Sequence, residues 1–351
     1  MKIIHFTAFV PRKSGMYESV KDQIKYERRE GLESDIVDPN DYAEKGLPGR
    51  IDDGWLSPVS WKKAEKADIW VCHAKIPERL QKEYFTKKPQ VCVLHGPSEH
   101  MLFTEWMTER KQEAFHLHIR ILWQYDATVV LNQHEYDIME LFDEYDRLYY
   151  IPNSIDLERY QDKDISAWNY QYHPAICSFD VPRLEKLPAN LIWSIPRITR
   201  KIPDARVNIF CLELESIATW RNIFCKSKRR DLERYCENIQ LASNDLRSYM
   251  KGADIVFNNN FSGILSRVGM EAMAMGIPVV SYGGDYTKYH AKIFDLDSIA
   301  EQIRRCWKDL NKKGSTLKKD TLKYANKNFN RAREVKKYVK LYEYMLRKKK
   351  G

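Results

Sequence analysis

"ADIVFNNNFSGILSRVGMEAMAMGIPVVSY", residues 253–282, is the stretch whose reading decides the fold of this 351-residue chain. Ile255-Val256-Phe257 is a short apolar run of β-type residues, and Ile277-Pro278-Val279-Val280 is another. Between them lie a polar loop and a helical segment with small residues at Gly269, Ala272, Ala274 and Gly276. Strand, loop, helix, strand is the unit of a parallel sheet, because parallel neighbours need a crossover connection. One acid, Glu271, stands in the middle of the apolar part. A carboxylate there needs a reason, since burying an unpaired charge is costly.

The alternation continues outward from this unit. Upstream, "PAICSFD", a helix through "ANLIWSIPRITRKI", then "RVNIFC" and "NIQLA" repeat it. In the first half of the chain "KIIHFTAF", a helix through "YESVKDQIKYERREG", "SDIVD", "ADIWVCH", "QVCVLHG", "DATVVLN" and "RLYYIPN" do the same. The seam falls near "IPNSIDLERYQDKD", where Pro152 and Asn153 interrupt the pattern. The expectation is an α/β protein of two Rossmann-like domains, residues 1–155 and 156–330. Residues 331–351 should form an amphipathic helix. Its stripe of Val335, Tyr338, Val339, Tyr342, Met345 and Leu346 needs an apolar surface to cover it. In such folds ligands bind beyond the C-terminal ends of the strands, so the residues just after each apolar run are the ones to inspect.

Composition narrows the class. Hydrophobic residues make up 43% and charged residues 30%, as in soluble globular domains. No apolar run approaches the roughly 20 residues that span a bilayer. The start, "MKIIHFTAFV", reads as a strand and not as a signal peptide, so a cytoplasmic protein is expected. Seven cysteines, none in Cys-x-x-Cys spacing, read as reduced thiols. The net charge of +9 is uneven: residues 1–150 hold 21 Lys and Arg against 26 Asp and Glu, residues 301–350 hold 18 against 5. The basic tail suits an anionic partner, at a membrane surface or on nucleic acid, or is a solvated helix face. Its cations, Arg331 among them, are expected to point outward. Phosphate loops of the Gly-x4-Gly-Lys type, Gly-x-Ser-x-Gly elbows and His-Glu-x-x-His motifs are missing from the sequence.

Residues 253–282, together with "IPNSIDLERY" and "VCVLHGP" in that order and spacing, resemble the GT-B glycosyltransferases, most closely the retaining nucleotide-sugar enzymes of glycosyltransferase family 4. The resemblance covers nearly the whole chain. It implies two Rossmann-like domains facing across a cleft, with the last helix crossing back to pack on the first. The first domain would hold the acceptor and the second the nucleotide sugar.

The resemblance also assigns roles. Glu271 matches the second acid of a Glu-x7-Glu motif, which accepts hydrogen bonds from the donor ribose. The other reading of Glu271 is a half-exposed helix acid paired with a nearby Lys or Arg. Gly263 stands where the first acid, the one touching the transferred sugar, should be. Ser266 and Arg267 match positions whose backbone amides meet phosphate or sugar at a helix N-terminus. Arg267 adds a charge there or faces solvent. Arg183 and Lys186, in "SFDVPRLEKLP", resemble the Arg and Lys that stabilise the departing diphosphate, charge that grows in the transition state. His95 matches a histidine that contacts the transferred sugar, and His73 is a further candidate for the same cleft. Gly15, in "PRKSGMYES", resembles a glycine that lets the backbone approach the phosphates, and Gly283 to Tyr286 could border the donor. Asp254 reads as a residue that orients its strand.

These roles imply a retaining glycosyltransferase moving a sugar from a UDP- or GDP-sugar to a hydroxyl, with no metal and no other cofactor. The leaving phosphate would take the acceptor proton in a front-face reaction. The acceptor is a glycan, a lipid-linked glycan or a small molecule, with a peripheral site at the inner membrane surface one setting for it. A hydroxyl on a nucleic-acid base, as in viral DNA modification, is the alternative. Gly263 supports a third reading, a non-catalytic nucleotide or glycan binder.

Overall fold

The computed structural model describes residues 1–7, 15–37, 61–73, 87–95, 121–182, 186, 188–211, 214–226, 228, 230–241, 246–261 and 264–350. Arg183 and Gly263, two of the candidate site residues, lie outside the described residues. The chain divides into two compact units, residues 1–155 with 331–351, and residues 156–330.

The first unit holds strands β1 (Lys2–Phe6), β2 (Glu33–Ile36), β3 (Ile69–Cys72), β4 (Gln90–Leu94), β5 (Ala127–Val130) and β6 (Leu148–Tyr150). They form one sheet in the order β2-β1-β3-β4-β5-β6, every pair parallel. Strands β3, β4 and β5 are buried along their whole length, which explains why they read as unbroken apolar runs. Helix α1 (Gly15–Arg29) connects β1 to β2 and buries Tyr17, Val20 and Ile24.

The second unit holds β7 (Ala175–Ser178), β8 (Arg206–Cys211), β9 (Cys236–Leu241), β10 (Ile255–Asn258) and β11 (Val279–Ser281). Their order is β11-β10-β7-β8-β9, again all parallel. Helices α2 (Leu157–Tyr160), α3 (Pro188–Lys201), α4 (Arg267–Ala274), α5 (Leu296–Asn311) and α6 (Leu317–Asn328) belong to this unit. Its core gathers Ile192, Ile195, Ile209, Trp220, Phe257 and Ile303. Gly276 closes α4 with φ +77°, donating to Met273 O while Ile277 donates to Ala272 O. A residue with a Cβ is strained at that φ, so glycine lets the chain turn straight into β11.

Each sheet therefore has one point where the strand order reverses: between β1 and β3 in the first unit, and between β7 and β10 in the second. Crevices at such points, outside the carboxyl ends of the strands, are where open α/β sheets take ligands.

Helix α7 (Arg331–Lys350) packs in the first unit. Tyr338, Leu341, Tyr342 and Met345 share a core with Ile3, Ile69, Val71, Val91 and Val129. Leu341 joins the buried stripe, and Val339 is only half-buried. Arg331 corrects the expectation that the tail's cations point outward. Arg331 is 2% exposed, and its Nη2 donates to Ser19 Oγ at 2.9 Å and to Ser154 O. Glu334 is buried too, bridged by Arg333 and Lys337. A guanidinium satisfies several carbonyl and hydroxyl oxygens at once, so it can fasten a helix start where a solvated lysine could not. Lys349 is held by Asp126 at 3.2 Å.

The seven cysteines are all free thiols. Among the described residues no helix is long and apolar enough to cross a membrane.

Candidate active site

In the second unit, the ends of β7 and β10 are tied to each other by side chains. Asp180 follows β7 and accepts from the Asn259 amide through Oδ2 at 3.2 Å, while its Oδ1 sits 3.3 Å from Lys186 Nζ. Asn259 Nδ2 donates to Ser178 Oγ at 2.9 Å. Asn258 Nδ2 donates to Ile264 O and to the Tyr286 hydroxyl, both at 3.1 Å, and its Oδ1 accepts from the Ser266 amide at 3.3 Å. Asn260 Nδ2 donates to Ile264 O as well. Three consecutive asparagines thus anchor the backbone that leads into α4, and all three are buried. Amide side chains suit this work because each both donates and accepts.

Ser266 is the N-cap of α4; its Oγ accepts from the Gly269 amide at 3.2 Å. Its own amide donates to Asn258 Oδ1. Arg267 is not on the surface. Its Nε donates to Glu271 Oε1 at 2.8 Å, an i,i+4 pair in which each side chain is 10% exposed. The Tyr160 hydroxyl donates to the same Oε1 at 2.6 Å. Glu271 is buried, so it is not the half-exposed acid of the alternative reading, although it does have a basic partner. Burial pushes its carboxyl up, and Arg267, the Tyr160 hydrogen bond and Arg159 only partly offset that. Both contacts converge on Oε1. Among the described residues Oε2 has no hydrogen-bond partner, and that is the oxygen a ligand hydroxyl could reach.

Around β11, Ser281 Oγ binds Gly283 O, and Tyr286 meets Asn258. Asp254 accepts from the Ala175 amide at 2.8 Å and from His173 at 2.6 Å, so it orients the start of β7.

In the first unit, His95 follows β4 and is half-buried. Its Nε2 lies 2.8 Å from Nδ1 of His73, which follows β3. His73 Nε2 lies 2.9 Å from Nδ1 of His5, on β1. His5 Nε2 lies 2.8 Å from Oε2 of Glu27, on α1. Three histidines on three adjacent strands thus lead from the sheet's C-terminal edge to a buried carboxylate. Gly15 is exposed at the start of α1, the helix that carries Glu27. An open hollow of about 480 Å³ lined by Tyr136, Glu140, Asp143 and Tyr344 contains none of the candidate residues.

Tyr160, the asparagine run, His5 and Glu27 had no role assigned from the sequence. Tyr160 closes "IPNSIDLERY" and the asparagines stand inside 253–282, so both lay in quoted motifs without a side-chain role. His5 had a weaker signal: a polar residue inside an otherwise apolar strand.

No protein-family model and no curated protein matches the sequence. Solved structures do. HepE of Anabaena, in complex with UDP and glucose, superposes with a TM-score of 0.72 at 12% identity, covering 98% of this chain and 99% of that one. The sucrose-phosphate synthase of Thermosynechococcus elongatus gives 0.74 at 15% identity, covering 98% of each chain. The pneumococcal O-GlcNAc transferase GtfA, in complex with UDP and GlcNAc, gives 0.68 at 11% identity, covering 99% of each. At these identities the likeness establishes the fold. The chain has the α/β fold of GT-B glycosyltransferases, with two Rossmann-like units, as the sequence pattern led one to expect.

Proposed function

We propose that the protein is a glycosyltransferase that moves a sugar from a UDP- or GDP-sugar to a hydroxyl acceptor with retention of configuration, without a metal. The second unit, residues 156–330, would bind the donor, and the first, residues 1–155 with α7, the acceptor. The observation that carries the reading is Glu271. It is a buried carboxylate whose Oε1 is held by Tyr160 and Arg267, while Oε2 lacks a described partner, on α4, the helix between β10 and β11. Such an oxygen suits a ribose hydroxyl, because charge-assisted bonds contribute roughly 1.5–3 kcal/mol each. Lys186, which Asp180 holds at 3.3 Å, would meet a diphosphate, and Arg183 would act beside it. His95 would contact the transferred sugar. UDP is the first base to test, since similar folds have been solved with it.

Gly263, in place of a sugar-contacting acid, keeps a second reading in view: a nucleotide or glycan binder without transfer. A panel of UDP- and GDP-sugars separates the two. Thermal shift with one nucleotide and release of nucleoside diphosphate, stimulated by a hydroxyl acceptor, supports a transferase. Binding without turnover of any donor supports the binder, and no binding at all refutes both. For the acceptor, a glycan, a lipid-linked glycan or a small molecule is the first choice and a nucleic-acid hydroxyl the second. The exposed cations of α7 make a peripheral contact with an anionic surface part of the proposal.

A further inference from the structure

The two oxygens of Glu271 are not equivalent. Oε1 accepts from the Tyr160 hydroxyl at 2.6 Å and from Arg267 Nε at 2.8 Å. A carboxylate oxygen offers two lone pairs, so these two donors fill it. Oε2 has no hydrogen-bond partner among the described residues, and the side chain keeps 10% of its surface open. Whatever Glu271 binds next, a proton or a ligand hydroxyl, therefore arrives at Oε2.

The two arrivals exclude each other. On an ionised carboxylate, Oε2 presents two lone pairs and its share of the charge, a match for the two neighbouring hydroxyls of a ribose. Once Oε2 is protonated the charge is gone, one lone pair holds the proton, and the group turns from acceptor into donor. Opposed influences set the balance between the two forms. Burial favours the neutral acid, while Arg267, the Tyr160 hydrogen bond and Arg159 favour the carboxylate without cancelling the rise. Arg267 acts from α4 itself, and Tyr160 and Arg159 act from α2. β10, β11 and α6 also pack against α4, and among the described residues no charged side chain of theirs acts on Glu271.

Tyr160 closes α2 and is 5% exposed, with the Arg159 guanidinium 5.6 Å from its ring centroid. Arg247 Nη1 donates to the Arg159 carbonyl at 3.0 Å, so the backbone that carries Tyr160 is fastened from outside the helix. A phenol has a single O–H to give, and here it is given to Glu271.

We propose, on the reading of Glu271 as the ribose acceptor, that Tyr160 is a positioning residue of the nucleotide site: by helping to fill Oε1 it reserves Oε2 for the ribose, and nucleotide binding there displaces a proton. The neutral acid releases one proton to solvent for each nucleotide bound, and the carboxylate releases none. Affinity for a nucleotide with its ribose hydroxyls is therefore full above the titration of Glu271 and falls as the carboxyl takes its proton. Phenylalanine in place of Tyr160 keeps the ring and deletes the O–H. One influence that favours the carboxylate is then lost, so the carboxyl titrates at higher pH and affinity begins to fall sooner on acidification. Packing of the ring alone would move neither.

Both effects are measurable in the full-length protein. The 13Cδ signal of Glu271, assigned by its loss in Glu271→Gln, gives the titration without any ligand. Tyr160→Phe should move that midpoint upward; a midpoint at the wild-type pH overturns the role of Tyr160, whatever the variant does to stability. For the ligand, UDP is compared with 2′,3′-dideoxy-UDP, and GDP with its dideoxy form if UDP does not bind. The terminal phosphate titrates alike in both nucleotides of a pair, so the ratio of their Kd values isolates the ribose. At high pH the ratio should be at least roughly a hundredfold, as two charge-assisted bonds require. It should fall by up to about tenfold per pH unit below the Glu271 midpoint, and at higher pH in Tyr160→Phe than in the wild type. A large ratio that stays level while the carboxyl titrates overturns the competition for Oε2. If Tyr160→Phe does not fold, that comparison on the wild type still decides the matter. A ratio near one at every pH overturns the ribose reading and with it the nucleotide half of the proposal, while the carboxyl titration separately decides whether Tyr160 governs Glu271.

Discussion

Replacing Glu271 by alanine removes more than a ligand contact. Its Oε1 neutralises Arg267 at 2.8 Å and accepts the Tyr160 hydroxyl at 2.6 Å, in a site where the two charged side chains are each 10% exposed. Deleting one member of a buried pair costs about 3–5 kcal/mol, because the other charge stays behind without compensation. The residual exposure puts Glu271→Ala toward the lower end. A sequence reading of Glu271 as a ligand residue implies a substitution that spares the fold, and the pairing contradicts that. Adding Arg267→Met removes the other half of the pair, so the double variant should regain part of the stability lost by Glu271→Ala. Nucleotide affinity should not return with it. Two ribose bonds lost amount to roughly 3–6 kcal/mol, on the order of a hundredfold to ten-thousandfold in Kd. Urea unfolding of the four proteins, with UDP and GDP titrations of each, gives both quantities. If the double variant binds nucleotide as the wild type does, Glu271 serves Arg267 alone and the donor site lies elsewhere. If Glu271→Ala unfolds at the wild-type midpoint, the ion pair itself is refuted.

Three further outcomes follow from other parts of the molecule. A Cβ at Gly252 would stand 2.1 Å from the Trp168 carbonyl oxygen, on a segment fastened by Trp168 N to Ser248 O and by Lys251 Nζ to Ile165 O. Gly252→Ala should therefore lower the urea midpoint by about 1–3 kcal/mol of stability, and an unchanged midpoint contradicts that packing. His73 is held below its ordinary 6.5 and Glu27 below its ordinary 4.5, so both unbind protons on folding. Stability of the first unit should fall as pH drops below 6.5 and again below 4.5, with His73→Gln flattening the first limb in segment-resolved hydrogen exchange. On α7, Lys340, Arg347 and Lys348 are exposed, whereas Arg331 and Lys349 are engaged inside the unit. Arg347→Ser with Lys348→Ser should weaken binding to anionic vesicles by about 2 kcal/mol, less at high salt; binding to DNA instead favours a nucleic-acid acceptor, and binding to neither removes the tail from the argument.

The fold was legible because parallel sheets write themselves into sequence as buried runs separated by helices. Strands β3, β4 and β5 are apolar on both faces, so no period had to be recognised, only the runs and their spacing. The stripe of α7 was legible for a similar reason: it is local. The arginines were not. Arg267 and Arg331 look like solvated cations at the ends of helices, yet Arg331 is buried and the Arg267 side chain is mostly covered. For Arg267 the signal was present, since Glu271 lies one helical turn on and an apolar surrounding makes an isolated acid seek such a partner. For Arg331 it was not, because Ser19 and Ser154 reach it only through the fold. The row of histidines is the extreme case. Residues 5, 73 and 95 are neighbours only because the sheet order puts β1, β3 and β4 side by side, and Glu27 and Ser34 reach them from α1 and β2. In the sequence each histidine is a lone polar residue at or near the end of a strand, a position where a satisfied structural histidine is the ordinary finding. What distinguishes these three is their mutual order. His5, His73 and His95 follow one another at 2.9 and 2.8 Å with Glu27 beside His5, and only the strand order brings that row together.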